Sequence, residues 1–206
     1  RSQFCIAVNS ATSALHLSCM ALGVASGDTV WTSPITFVAS ANCARYCGAD
    51  VDFVDIDPDT FNLCPVKLRD KLKKHAAEEL PLPKVVIAVH MAGQSCAMKQ
   101  IHALSLEYGF RIIEDASHAI GGRYLNEPIG QCTYSDICVF SFHPVKIITT
   151  AEGGAITTNN AELAKVLSQL RSHGITRDQD DMLVKQPSDG DWFYEQQALG
   201  FNYRMT

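Results

Sequence analysis

The sequence predicts an α/β domain, a mostly parallel sheet with helices on both flanks. Three observations carry this prediction. Strand-like and helix-like patterns alternate along most of the 206 residues. One run, Val85 to Val89 (VVIAV), is apolar without interruption, as strands buried on both faces are. The segments between strand candidates have the length of ordinary helices, roughly ten to fifteen residues, which suits crossover connections.

In chain order, Phe4 to Val8 is a short apolar strand, and Ala11 to Leu22 is a helix closed by Gly23. Thr29 to Thr32 is strand-like, Phe37 to Cys47 helical, and Val51 to Val54 strand-like before the turn residues DPDT. Val66 to His75 has helical spacing with Lys and Arg on one face. After Val85 to Val89 come a helix over Met98 to Tyr108, closed by Gly109, and a strand over Phe110 to Ile113. Ile137 to Phe142 and Ala155 to Thr158 are further strands, and Ala161 to Leu170 is a helix. From Gly174 the periodicity fades into a polar, aromatic-punctuated stretch that ends at Thr206. The expected division is therefore a domain over 1–173 and a loop segment over 174–206.

Composition narrows the class. Hydrophobic residues make up 47% and charged residues 19%, a globular balance. The 17 basic and 22 acidic residues give a formal charge of −5, and no basic stripe appears, so nucleic-acid binding has no support. No apolar run approaches a bilayer-spanning length. Polar residues Asn9, Ser10, Thr12, Ser13 and His16 interrupt any signal-peptide core, and the first residue is Arg1; a trimmed or partial chain is expected. The eight cysteines are dispersed without a C-x-x-C pair, and are read as reduced structural thiols of a cytoplasmic protein with no metal site. His16, His75, His90 and His102 are read as structural or exposed.

In open α/β sheets ligands lie beyond the carboxyl ends of the strands, so polar residues there are the candidates. Asn9-Ser10-Ala11-Thr12-Ser13 opens a helix after the first strand. Such a start is an anion site by its free N–H groups, or simply an N-cap. Asp115 ends the strand FRIIE and could hold a protonated ring nitrogen, or cap a turn. Lys146 stands in HPVKIITTAEGG, a largely apolar, Gly-rich segment, where desolvation would make its amine a nucleophile; a snorkelling surface lysine is the alternative. With Phe37 as a stacking face, this order matches what pyridoxal 5′-phosphate (PLP) requires: an anion cradle, a ring face, a carboxylate and an amine. A nicotinamide dinucleotide would need G-x-G-x-x-G after the first strand, which is lacking.

The strings NSATSALHL, SPITFVASANC, IIEDASHAIGG, FSFHPVK with ITTAEGGAITTN, and RSHGITRD with LGFNYRMT occur in this order from near residue 8 to the end. Through them the chain resembles the DegT/DnrJ/EryC1/StrS family of sugar aminotransferases, within the fold type I PLP-dependent transferases. The resemblance implies that 1–173 is a large PLP-binding domain, incomplete at its N-terminus, and that 174–206 leads toward a small C-terminal domain absent from this chain. It implies Lys146 as the Schiff-base lysine and proton shuttle, Asp115 as partner of the pyridinium nitrogen, and His118 near the ring's O3′ or face. Phe37 would stack on the ring, and Thr12, Ser13 and Ser141 would bind phosphate. Asn202 would reach the phosphate region of a neighbouring subunit, so a homodimer is expected. The implied reaction is amination at C4 of a UDP-linked 4-keto-6-deoxy-N-acetylhexosamine, as in pseudaminic acid biosynthesis, with glutamate as amino donor. The alternative is a non-catalytic remnant that binds PLP or associates with a full-length relative. Family members that are dehydratases carry histidine in place of the lysine, and Lys146 argues against that variant.

Overall fold

The structure, a computed structural model, describes residues 1–184 and 192–206; the middle of the expected 174–206 loop segment thus lies outside the described residues. In chain order the strands are β1 (Phe4–Val8), β2 (Thr29–Thr32), β3 (Asp50–Phe53), β4 (Val85–Val89), β5 (Arg111–Asp115), β6 (Arg123–Tyr124), β7 (Glu127–Pro128), β8 (Ile137–Ser141), β9 (Gly154–Thr158), β10 (Ile175–Thr176) and β11 (Glu195–Gln196). The helices are α1 (Ala11–Ala21), α2 (Ala39–Tyr46), α3 (Pro65–Ala77), α4 (Met98–Tyr108) and α5 (Ala161–Arg171).

The main sheet has seven strands in the order β1-β9-β8-β5-β4-β2-β3. Strands β3, β2, β4, β5 and β8 run parallel, while β9 is antiparallel to both β8 and β1. The expected mostly parallel sheet is present, and its carboxyl edge gathers the ends of β1, β2, β4, β5 and β8 on one side. β4 shows why its sequence is apolar throughout. Val85, Ile87 and Val89 pack into a core with α1, α2 and α5, whereas Val86 and Ala88 pack into a second core with α3 and α4. Side chains alternate across a strand, so a central strand covered by helices on both faces has no solvent-facing position.

Local signals set the helix ends. Ser10 caps α1 by accepting the Ser13 N–H at 3.1 Å, and Asn160 caps α5 by accepting from Leu163 at 3.1 Å. Pro65 stands in the first turn of α3, where its missing N–H costs nothing. Gly109 closes α4 with φ 79°, a left-handed turn that favours glycine. Every residue of α1 from Ser13 to Cys19 is buried, because sheet, α2, α5 and the chain's last residues surround it. The buried Ser18 hydroxyl is satisfied by donating to the Ala14 carbonyl at 2.7 Å.

Three details differ from the sequence reading. The second helix begins at Ala39 rather than Phe37, which releases Thr36 and Phe37 to the sheet edge. The strand expected over Phe110 to Ile113 runs on through Asp115, so this carboxylate leaves from a rigid element. After Gly174 the chain forms a short ladder, β10 with β11. Of the aromatics there, Phe201 and Tyr203 stack on each other at 4.8 Å and pack into the α1 core, so only Trp192 and Tyr194 stay largely exposed. No helix among the described residues is long and apolar enough to cross a membrane.

Candidate active site

A cavity of about 710 Å³ lies at the carboxyl edge of the sheet. Its wall is built from the residues that follow β1, β2, β4, β5 and β8. Thr12, Phe37, Asp115, His118, Ser141 and Lys146, taken from the sequence as candidates, all line it. Ser13 does not: its N–H and hydroxyl both face the Ser10 hydroxyl, at 3.1 and 3.0 Å, which makes it part of the helix cap. Asn202 does not line the cavity of its own chain either; it is exposed and bridges to Ser172.

Asp115 is the most determined group in the site. It is 5% exposed. One carboxylate oxygen accepts from the Ser117 N–H at 3.1 Å and the Ser117 hydroxyl at 2.6 Å; the other accepts from the Ser40 hydroxyl at 2.8 Å. Ser40, fully buried, shares a 2.9 Å hydrogen bond with Thr36, whose hydroxyl side lines the cavity. Three donors satisfy the carboxylate, yet no salt bridge to it occurs among the described residues. A buried anion without a cationic partner is costly, and it favours a cation arriving from the cavity. Ser117 was legible as the second residue after an Asp in a turn; Ser40, 75 residues away in sequence, was not.

The anion cradle is set by a close approach. A Cβ on Gly154 would meet the Ala11 nitrogen, the Ser10 carbonyl carbon and the Phe140 oxygen, each at 2.8 Å. Only glycine lets β9 sit this near the start of α1, and Gly154 is in register with Ser141 on β8. The first-turn N–H groups of Ala11 and Thr12 have no acceptor within the helix, and they share one end of the cavity with Ser141.

Lys146 overturns one expectation. Its segment was read as an apolar, desolvating one, but Val145 and Ile147 are 77% and 67% exposed and Lys146 itself is half-buried. The physical reason is topological: the segment connects the antiparallel pair β8 and β9 by looping off the sheet edge, where no layer among the described residues covers it. His143 shapes the loop, accepting the Val145 N–H on Nδ1 at 3.3 Å and, through its carbonyl, the Lys146 N–H at 2.9 Å. Phe37, 73% exposed, presents its ring at the same mouth rather than in the core. His118 feels both charges: burial and then the Lys146 ammonium lower its proton affinity, while Asp115 opposes them. A neutral His118 is therefore the form present at pH 7, able to donate or accept a hydrogen bond.

A profile of the DegT/DnrJ/EryC1/StrS aminotransferase family matches residues 1–206. The chain is similar to a UDP-4-amino-4,6-dideoxy-N-acetyl-beta-L-altrosamine transaminase of Campylobacter jejuni, 41% identical over 199 residues, covering 97% of this chain and 48% of that protein. A Helicobacter pylori aminotransferase involved in the biosynthesis of pseudoaminic acid superposes with a TM-score of 0.82 at 31% identity, over 99% of this chain and 50% of that one. A Bacillus subtilis protein, NtdA, with bound cofactor PMP superposes with a TM-score of 0.79 at 30% identity, over 99% and 41%. The chain thus spans about half the length of the relatives it matches. The residues present fit a pyridoxal-type cofactor: the glycine-enabled cradle suits its phosphate, and the unpaired buried carboxylate suits its ring nitrogen.

Proposed function

The chain belongs to the DegT/DnrJ/EryC1/StrS aminotransferase family, whose members depend on PLP, and from that premise we propose that it carries the cofactor site of a nucleotide-sugar transaminase. The reaction would move an amino group from glutamate, released as 2-oxoglutarate, onto C4 of a UDP-linked 4-keto-6-deoxy-N-acetylhexosamine. One observation carries the reading: neighbouring strands β5 and β8 deliver a buried unpaired carboxylate and an amine to a single cavity.

When bound, the cofactor supplies an aldehyde that condenses with amines and a ring that draws electrons from the substrate carbon. Asp115 would pair with the ring nitrogen and hold its proton, preserving that electron demand. Lys146 Nζ would hold the cofactor's aldehyde, and its amine would hold or move the proton at the amino-bearing carbon. Phe37 offers a face to the ring and His118 a hydrogen bond at its edge. Thr12, Ser141 and the α1 amides hold the phosphate, with Ser13 serving through the cap. The active unit is a two-fold dimer in which Asn202 reaches the partner's cradle. Its exposure away from its own cavity, and the exposed apolar mouth at Phe37, Val145 and Ile147, support that arrangement. The unpaired thiols suit the cytoplasm. Similarity to the C. jejuni protein supports the UDP-sugar, and similarity to the H. pylori protein supports a place in pseudaminic acid biosynthesis.

The test is direct. The protein with PLP, glutamate and the UDP-linked keto-sugar should yield a product in which mass spectrometry finds an amine in place of the ketone. Amination of a GDP-linked keto-sugar alone would remove the assigned substrate. Bound PLP with no amination of any keto-sugar would leave a PLP-binding protein without this activity.

A further inference from the structure

Directly behind Asp115 lies a second buried carboxylate that the site described above does not use. Glu114, 5% exposed, points to the face of β5 opposite the cavity, as strand alternation requires. Its Oε2 accepts from His90 Nε2 at 2.8 Å and its Oε1 from the Ser135 hydroxyl at 2.5 Å. His90 is fully buried. Burial disfavours a charge on its ring and the Glu114 carboxylate favours one. The backbone N–H of Cys96, aimed at Nδ1 from 3.1 Å, decides: Nδ1 is an acceptor, and the ring proton sits on Nε2, facing Glu114.

His90 also opens the loop between β4 and α4, and this loop touches the Asp115 segment at three points. The His90 side chain holds Glu114, its backbone N–H donates to the Asp115 carbonyl at 3.0 Å, and Gly93 lies against His118. A Cβ on Gly93 would stand 2.7 Å from the His118 oxygen, so the approach needs glycine, as does its φ of 90°. The preceding Ala92 is itself left-handed, at φ 52°. Such a backbone persists only when its surroundings over-determine it. Asn62 does so: its Oδ1 accepts the Met91 N–H at 2.9 Å, and its Nδ2 donates to the carbonyls of Gln94 and Ser95 at 3.1 and 3.2 Å.

We propose that His90 and Glu114 are positioning residues for Asp115, a buried hydrogen-bonded pair that locks the end of β5 against a pre-strained loop and so aims the Asp115 carboxylate into the cavity. Its consequence for cofactor binding rests on the reading that Asp115 pairs with the ring nitrogen. A buried ion that only stabilised the fold could be replaced by apolar packing at little cost; one that holds direction cannot.

Three variants test this: Glu114→Ala, Glu114→Gln, whose amide oxygen still accepts from His90, and Asp115→Asn as the reference. In cofactor-free protein, the carbon-13 resonance of the Asp115 carboxylate, assigned through Asp115→Asn, should shift in Glu114→Ala and stay near its native position in Glu114→Gln. PLP affinity should fall about tenfold in Glu114→Ala, the worth of one hydrogen bond to a charged group, and recover in Glu114→Gln. Affinity for inorganic phosphate, which reads the α1 cradle at the other end of the cavity, should not change. An unmoved Asp115 resonance in Glu114→Ala overturns the proposal, and so does an equal loss of phosphate affinity, which would mark a general loosening. A moved resonance with unchanged PLP affinity upholds the positioning and removes the ring-nitrogen role. If Glu114→Ala does not fold, His90→Asn, whose shorter amide can still accept from Cys96 but does not reach Glu114, carries the same readouts, and an unmoved resonance there overturns the proposal equally.

Discussion

The two chemical ends of the cavity are built in opposite ways. Around Asp115 every polar atom is met: three donors on the carboxylate, a strand beneath it, and burial on all sides but one. Around Lys146 the chain supplies a loop tied to itself by a few hydrogen bonds, with Val145, Ile147 and Ile148 facing outward. The charge-holding end is completed by this chain alone. The amine-bearing end is preformed in position but open among the described residues. The contrast suits the proposed roles: a carboxylate that holds a ring proton gains from rigidity, whereas a shuttling amine must reach two carbons and tolerates a looser support.

The largest effect is expected at the open end. Lys146→Ala should abolish the borohydride-reducible link to PLP, read by mass spectrometry of the digested protein. An adduct on Lys84, which pairs with Asp28 at 3.0 Å, or on Lys99 would move the amine elsewhere and dissolve the comparison.

At the rigid end, Asp115→Asn keeps size but removes the charge. Transamination should drop on the order of a hundred- to a thousandfold, the usual cost of losing one preorganised electrostatic partner, with PLP still attached to Lys146. Turnover like the native protein's would show that the rigidity around Asp115 serves folding only. Asp115→Ala should lose at least as much turnover and in addition cost stability, by about 1–3 kcal/mol in chemical denaturation, since Ser40 and Ser117 would lose a buried acceptor.

Gly154→Ala probes the close approach of β9 to the start of α1. Its Cβ would press on backbone atoms that cannot move aside, so about 1–3 kcal/mol of stability should go, together with phosphate affinity. Loss of stability with phosphate affinity intact would separate the cradle from the close approach of β9 to α1.

The smallest effect concerns the closing residues. His16 is buried against Tyr46, Phe201 and Tyr203, and burial lowers its proton affinity below the usual imidazole value. The unfolded chain therefore binds this proton more readily than the folded one, so stability present above about pH 6.5 should decline as pH falls below it. His16→Gln should flatten that decline, monitored by denaturation at pH 7 and pH 5. An unchanged slope would mean that Phe201 and Tyr203 do not keep the ring from water.

Much of this was legible in the sequence because it is local or periodic. The alternation of strands and helices, the uninterrupted apolar β4, and the capping Ser10 and Asn160 follow from residue spacing and from the donors and acceptors of neighbouring residues. Asp115, Lys146 and Thr12 could be picked out because, in a parallel sheet, polar residues just after strands share one edge, whereas Ser141 came only through the family resemblance. What tertiary structure alone decided are the relations between distant segments. That Ser40 rather than a charge steadies Asp115, that His90 stands behind it, and that Gly154 sets the cradle depend on which strands are neighbours and on distances below one side chain's width. The exposure of the Lys146 loop was hidden for the same reason. An apolar segment looks buried in sequence, but burial needs a layer to cover it, and only the packed molecule shows that the described residues provide none there.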